Sequence, residues 1–147
     1  TLWTGGHNRQ QDRTGTQLPA SEGGAALSHA QSLVEDSNML AEEDSTSTVE
    51  NATRSSEHVA DDDVIVVVTD KLHYLARKVQ FIFWMVFPRH HVVFVELHKA
   101  PPGTNVLSKV KHLVSTFVTV VGMAGVTRGD ATDIQTRQVR LQRLTGH

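Results

Sequence analysis

Residues 64–70 have the sequence VIVVVTD, and the character of the chain changes at this point. Five β-branched residues in succession, without alternation of polar positions, are typical of a short strand that is covered on both faces. Thr69-Asp70 then provides N-cap chemistry for a following helix. We therefore place the start of the folded core at Val64.

The charge of the 147-residue chain is divided unevenly around this strand. The net charge of −2 conceals −9 on residues 1–63, which carry 3 basic and 12 acidic side chains, against +5 on residues 64–127 and +2 on residues 128–147. Only 17 of the first 63 residues are hydrophobic, too few to offset the entropy lost on ordering. We predict an acidic, mostly disordered arm over 1–63 with a transient helix at about 25–41, a compact α/β core over 64–127, and a short basic helical tail over 128–147.

Cysteine content and the length of the apolar runs exclude several classes of protein. The chain has no cysteine, which rules out a disulfide scaffold, a cysteine-ligated zinc site and thiol catalysis. Its two longest apolar runs, 79–87 and 113–127, are shorter than the roughly 20 residues that a membrane-spanning helix needs. We expect a soluble chain without a transmembrane segment.

The residues between 70 and 97 allow two interpretations. Apolar residues at helical spacing predict a helix over about 70–80. Residues 80–87 continue that spacing, but their aromatic and β-branched composition suits a strand equally well. A hairpin across 88–91, leading into a strand over 92–97, is the alternative to one long helix.

A strongly amphipathic helix is predicted over 105–121. Its apolar residues occupy one arc of the helical wheel and its polar residues the other. The second half of the polar side carries Ser115, Thr116 and Thr119 instead of charges, so a partner could cover it at little desolvation cost. We predict that these three residues face a partner. A last helix is predicted over about 132–144.

These elements give the order β–α–(β)–β–α followed by a small helix. We expect an α+β fold, or a small α/β fold, in which a thin two- to three-stranded sheet and two main helices follow the disordered acidic arm. So thin a sheet leaves its edges exposed. We expect a protein partner or another copy of the chain to shield them.

Histidine is abundant, at nine residues, and suggests a metal site. On a strand, His90, Glu96 and His98 would share one face, and His73 or His112 could complete a site with an open position. Metal-bound water would then act as a nucleophile. None of the common metal-binding spacings is present, and surface histidines beside a turn explain the same residues.

Two further motifs contain arginine. Arg128-Gly129-Asp130 is the tripeptide of integrin ligands, although Asp130 is equally explained as a charge preceding the last helix. Arg137, Arg140 and Arg143 could contact the phosphates of a nucleic acid. The interleaving of basic and aromatic residues that is typical of RNA-binding strands is missing.

Our leading hypothesis is a non-enzymatic interaction or structural subunit that packs its apolar core against a protein partner or forms a homo-oligomer. The acidic arm would serve docking or solubility, and we expect no cofactor. The alternatives are a metal-dependent hydrolase using the His/Glu/His cluster and an RNA-binding accessory protein. Nucleic acid is a possible partner but not the favoured one.

Overall fold

The computed structural model describes residues 2–4, 22–33, 39–42, 44–97 and 105–145. The chain divides into two compact units, Thr1–His58 and Val59–His147, which are described separately. Within the described residues there are six α-helices and two two-stranded parallel sheets. The predicted class, an α+β fold with a thin sheet, is confirmed.

The first unit contains more regular structure than an acidic arm was expected to hold. Strands β1 (Leu2–Thr4) and β2 (Leu40–Glu42) pair in parallel, and the helices are α1 (Glu22–Leu33) and α2 (Thr48–Ser55), the latter followed by the 3-10 turn Ser56–His58. The rest of the predicted arm before residue 44 lies outside the described residues. The helix predicted at 25–41 corresponds to α1, which begins and ends earlier.

Two hydrogen bonds cap the N-terminus of helix α2. The Ser47 hydroxyl accepts a hydrogen bond from the Glu50 amide, and the Glu50 carboxylate accepts one from the Thr46 amide. Val49 and Ala52 supply the buried side of the helix. Such reciprocal capping satisfies amide groups that would otherwise lack partners.

The second unit is built on a parallel strand pair. Strand β3 (Val64–Asp70) pairs with β4 (His91–Leu97), with Val64 opposite His91 and Asp70 opposite Leu97. Helices α3 (Lys71–Ala76) and α4 (Lys78–Val86) connect them. Residues 80–86 are therefore helical, and the alternative hairpin across 88–91 is wrong, because parallel strands need a crossover connection.

The helix predicted over 70–80 is interrupted at Arg77. Asp70 caps α3 by accepting hydrogen bonds from the amides of Leu72 and His73. Arg77 then adopts a left-handed conformation, φ 63° and ψ 2°, which ends α3 and starts α4 in a new direction. Periodicity alone could not reveal the break, because the apolar spacing continues across it.

Helix α4 covers one face of the strand pair. The Phe83 ring stacks on Phe87 at 5.7 Å and meets Phe94 of β4 edge-on at 6.4 Å. Alternate side chains of the strands are half-buried, and those between them are exposed, so among the described residues only one face is covered and the prediction that β3 is covered on both faces is wrong. Further buried apolar residues complete this core; they are Val79, Ile82, Met85, Val86, Met123, Val126 and Ile134.

Two longer helices end the unit. Helix α5 (Val106–Gly122) and helix α6 (Ala131–Thr145) lie within a residue of their predicted bounds. Asn105 caps α5 by accepting a hydrogen bond from the Ser108 amide at 2.8 Å. No helix among the described residues is long and apolar enough to cross a membrane.

Candidate interaction surfaces

Helix α5 presents its apolar side to solvent. Eight large apolar side chains on this helix are between 40% and 76% exposed, and together they form what we call the α5 stripe. Its members are Val106, Leu107, Val110, Leu113, Val114, Phe117, Val120 and Val121. An amphipathic helix normally turns its apolar side toward the core, so this orientation leaves a contiguous apolar surface uncovered.

A second apolar surface lies on the strand pair. The face not covered by α4, the bare sheet face, exposes between 38% and 61% of each apolar side chain. Its members are Val64, Val66, Val68, Val93, Val95 and Leu97. Parallel sheets are nearly always covered on both faces, and two strands alone are marginally stable, so this surface also lacks a covering element.

The polar side of α5 packs against the chain itself. Thr119 is only 4% exposed, and the Lys78 ammonium donates a hydrogen bond to the Ser115 hydroxyl at 3.0 Å. The Thr116 hydroxyl donates to the His112 carbonyl. Ser115, Thr116 and Thr119, which were predicted to face a partner, therefore lie on the inner side of the helix. On this side α4 offers Lys78, whose partly buried ammonium has the Ser115 hydroxyl as a polar neighbour.

Burial has a clear effect on Lys78. Removal of the ammonium from water lowers the pKa of Lys78 below its usual value. The hydroxyl of Ser115 returns part of the lost solvation. This hydrogen bond joins α4 to the inner side of α5.

A small titratable cluster lies beside this contact. The Asp70 carboxylate contacts Nδ1 of His73, and the ring of His73 meets that of His112 edge-on at 4.7 Å. Partial burial favours a raised pKa at Asp70, but hydrogen bonds from His73 and Leu72 outweigh it and lower the pKa overall. Burial, followed by the charge of His73, lowers the pKa of His112.

Of the predicted metal ligands, His90 and Glu96 lie within the described residues and have different surroundings. His90 precedes β4, and its Nε2 lies 3.1 Å from the Ala60 carbonyl, whereas Glu96 lies on β4 opposite Thr69. His98 lies outside the described residues. The part of the chain that the structure describes contains no group of three ligating side chains that could hold a metal ion.

The Arg128-Gly129-Asp130 tripeptide is used within the chain. The Arg128 guanidinium lies 3.5 Å from the centre of the Trp84 ring and donates two hydrogen bonds to the Trp84 carbonyl. Gly129 has φ +83°, and its amide donates to the Met85 carbonyl at 2.7 Å. Asp130 accepts a hydrogen bond from the Asp133 amide at the start of α6. Arg128 and Gly129 thus fasten the α5–α6 connection to α4, and Asp130 caps the start of α6.

The candidate phosphate-binding arginines all lie on α6. Arg143 is in the last turn, and the acidic residue Asp133 is in the first. This distribution complements the helix dipole, as expected from the sequence. Arg137 is half-buried, whereas Arg140 and Arg143 are exposed.

Comparison with known proteins adds nothing to this geometry. No protein-family model, no curated protein and no solved structure matches the chain.

Proposed function

We propose that this chain is a non-enzymatic interaction or structural subunit whose second unit packs apolar surface against a protein partner. The observation that carries the proposal is the exposure of the α5 stripe. Eight side chains that each expose roughly 100 Å² present about 800 Å², which is one partner's share of a standard protein–protein interface. Patches of this size on soluble proteins usually mark interaction sites.

The composition of the stripe favours a protein as the partner. Its centre carries aliphatic side chains and Phe117, and no charged residue interrupts it. Charge depletion and aromatic enrichment are characteristic of the central part of protein interfaces. A nucleic acid would instead require cationic groups facing its phosphates, and the lysines of α5 lie outside the stripe.

Residues 1–63 have a supporting role in this proposal. Their net charge of −9 opposes the +5 of residues 64–127. An acidic segment of this kind keeps a chain with exposed apolar surface in solution, and it offers electrostatic attraction to a basic docking site. We assign it docking or solubility rather than catalysis.

The test measures whether the stripe is buried in an assembly of the full chain or exposed on a monomer in solution. We expect the purified chain to form a defined assembly by light scattering, or to bind an apolar fluorescent dye as a monomer. Leu113→Lys should reduce the assembly or the dye binding, whereas Leu144→Lys, at an 83% exposed position on α6, serves as the matched control. A monomer that binds no dye would refute the proposal.

A further inference from the structure

The α5 stripe has a spacing that is symmetric under reversal. About the midpoint between Leu113 and Val114, the position of Val106 maps onto that of Val121, Leu107 onto Val120, and Val110 onto Phe117. All eight members are paired in this way. An antiparallel copy of the helix therefore presents apolar residues wherever the first copy does, which makes the stripe self-complementary about a two-fold axis.

The spacing also matches that of packed helix pairs. Val106, Val110, Leu113, Phe117 and Val120 follow one another at intervals of four, three, four and three residues, and the reversal converts this row into a second row of the same kind, Leu107, Val110, Val114, Phe117 and Val121. This is the repeat by which knobs of one helix enter holes of another. The two rows together extend from Val106 to Val121, a length of about 22 Å.

The charges of α5 select the antiparallel direction. Lys109 and Lys111 lie in its first half, and residues 115–122 carry no charge. A parallel copy would place the lysines of both helices at the same level, where they repel. An antiparallel copy places them beside the uncharged half of the other helix, toward the negative end of its dipole.

The exposed area is compatible with a stable dimer. The about 800 Å² that each copy presents sets an upper limit of about 1,600 Å² on the total interface, and specific complexes bury about 1,200–2,000 Å². The Lys78–Ser115 hydrogen bond and the buried Thr119 hold the opposite side of α5 against its own unit, so the helix is oriented before association. Such preorganisation reduces the entropic cost of binding.

From these observations we infer that two copies of the chain associate through their α5 stripes, antiparallel, about a two-fold axis that passes close to Leu113 and Val114. The inference rests on the proposed function and specifies its partner. It assigns the stripe to self-association and makes no use of the bare sheet face.

The first experiment measures the oligomeric state of the full chain by sedimentation and light scattering. We expect a dimer, and we expect Phe117→Lys to raise its dissociation constant by about 100-fold or more, because the new ammonium faces Val110 between the lysines of the other copy. The matched control Leu144→Lys should leave the constant unchanged. A dimer that Phe117→Lys does not weaken would overturn the inference.

The second experiment establishes direction by cysteine cross-linking, for which the absence of native cysteine is an advantage. In the antiparallel dimer the two Leu113 positions lie within about 2 Å of each other along the axis, so Leu113→Cys should form a disulfide-linked dimer on oxidation. The two Val106 positions lie about 22 Å apart, so Val106→Cys should not link to itself. It should link to Val121→Cys when the two proteins are mixed.

The outcomes separate the inference from the proposed function. A monomer that binds the apolar dye through the stripe overturns self-association and leaves the proposed function standing, with a partner of different sequence. A monomer that binds no dye overturns both. A dimer in which Val106→Cys links to itself is parallel and overturns the inference.

Discussion

The orientation of α5 can be tested by placing lysine at two positions of the same helix, Phe117 and Thr119. Both variants introduce lysine, so the introduced residue and its helix propensity are the same. The wild-type side chains differ in exposure, at 69% for Phe117 and 4% for Thr119. The difference between the stability losses of the two variants therefore shows which side of α5 faces the core.

The structure predicts a large difference between them. Complete burial of a Phe side chain stabilises a protein by about 1.5–3 kcal/mol, and only about a third of Phe117 is buried, so Phe117→Lys should cost less than about 1 kcal/mol in the monomer. Thr119→Lys inserts a longer side chain and a second ammonium into the layer that holds Lys78. Overpacking and desolvation together should cost at least about 3 kcal/mol.

The assay is urea unfolding followed by far-UV circular dichroism, at protein concentrations at which light scattering shows only monomer. Ile134→Ala, at a position that is 1% exposed, calibrates the scale with an expected loss of about 2–5 kcal/mol. If Phe117→Lys costs as much as Ile134→Ala while Thr119→Lys is nearly neutral, the stripe faces inward. The reasoning behind both the proposed function and the dimer would then fail.

Three further predictions concern stability. Gly122→Ala should lower the unfolding free energy by about 1–3 kcal/mol by urea denaturation, because the added Cβ meets the side chain of Leu141; an unchanged value would mean that α6 does not approach here. Arg77→Gly should raise the same quantity by about 1 kcal/mol by relieving the left-handed backbone, and a loss would contradict the strain argument. The pKa of His112 is lowered in the folded state, so protonation of His112 lowers the free energy of unfolding. This loss of stability is complete below the folded-state pKa and disappears as the pH rises through the unfolded value of about 6.5. Stability should therefore increase across this window, and His112→Gln should reduce the increase in pH-dependent urea denaturation; an identical slope would contradict the assignment.

Helices α5 and α6 could be predicted almost to the residue because their signals are local. Asn105 caps α5, and the charges of α6 follow its dipole. The capping residues Ser47 and Glu50 of α2 are equally local, in the pattern S-x-x-E, and identify a helix inside a segment predicted to be mostly disordered. The amino-acid composition of residues 1–63 predicts disorder for the segment as a whole and does not reveal this local capping motif.

The features that sequence reasoning missed depend on distant contacts. Residues 81–86 have strand-like composition, but the parallel pairing of β3 with β4 requires a crossover, and burial of Ile82 and Phe83 against the sheet favours the helix. A glycine at the end of a helix usually indicates a left-handed residue, but Gly122 is the last residue of α5, without a positive φ, and it permits close approach of Leu141. Neither outcome has a signal within a few residues of the site.

Interpretation of the α5 stripe requires both the local sequence pattern and the distant contacts of the fold. Its symmetric spacing is visible in the sequence, but a symmetric stripe that faced its own core would say nothing about partners. Exposure gives the spacing its meaning, and the opposite side of the helix is held by the contacts of Lys78 with Ser115 and of His73 with His112. Lys78→Leu removes the first of these contacts and should therefore weaken association as well as the packing of α5, although Lys78 lies outside the stripe. The polar side of the helix thus contributes to the orientation in which the stripe is offered to the second copy.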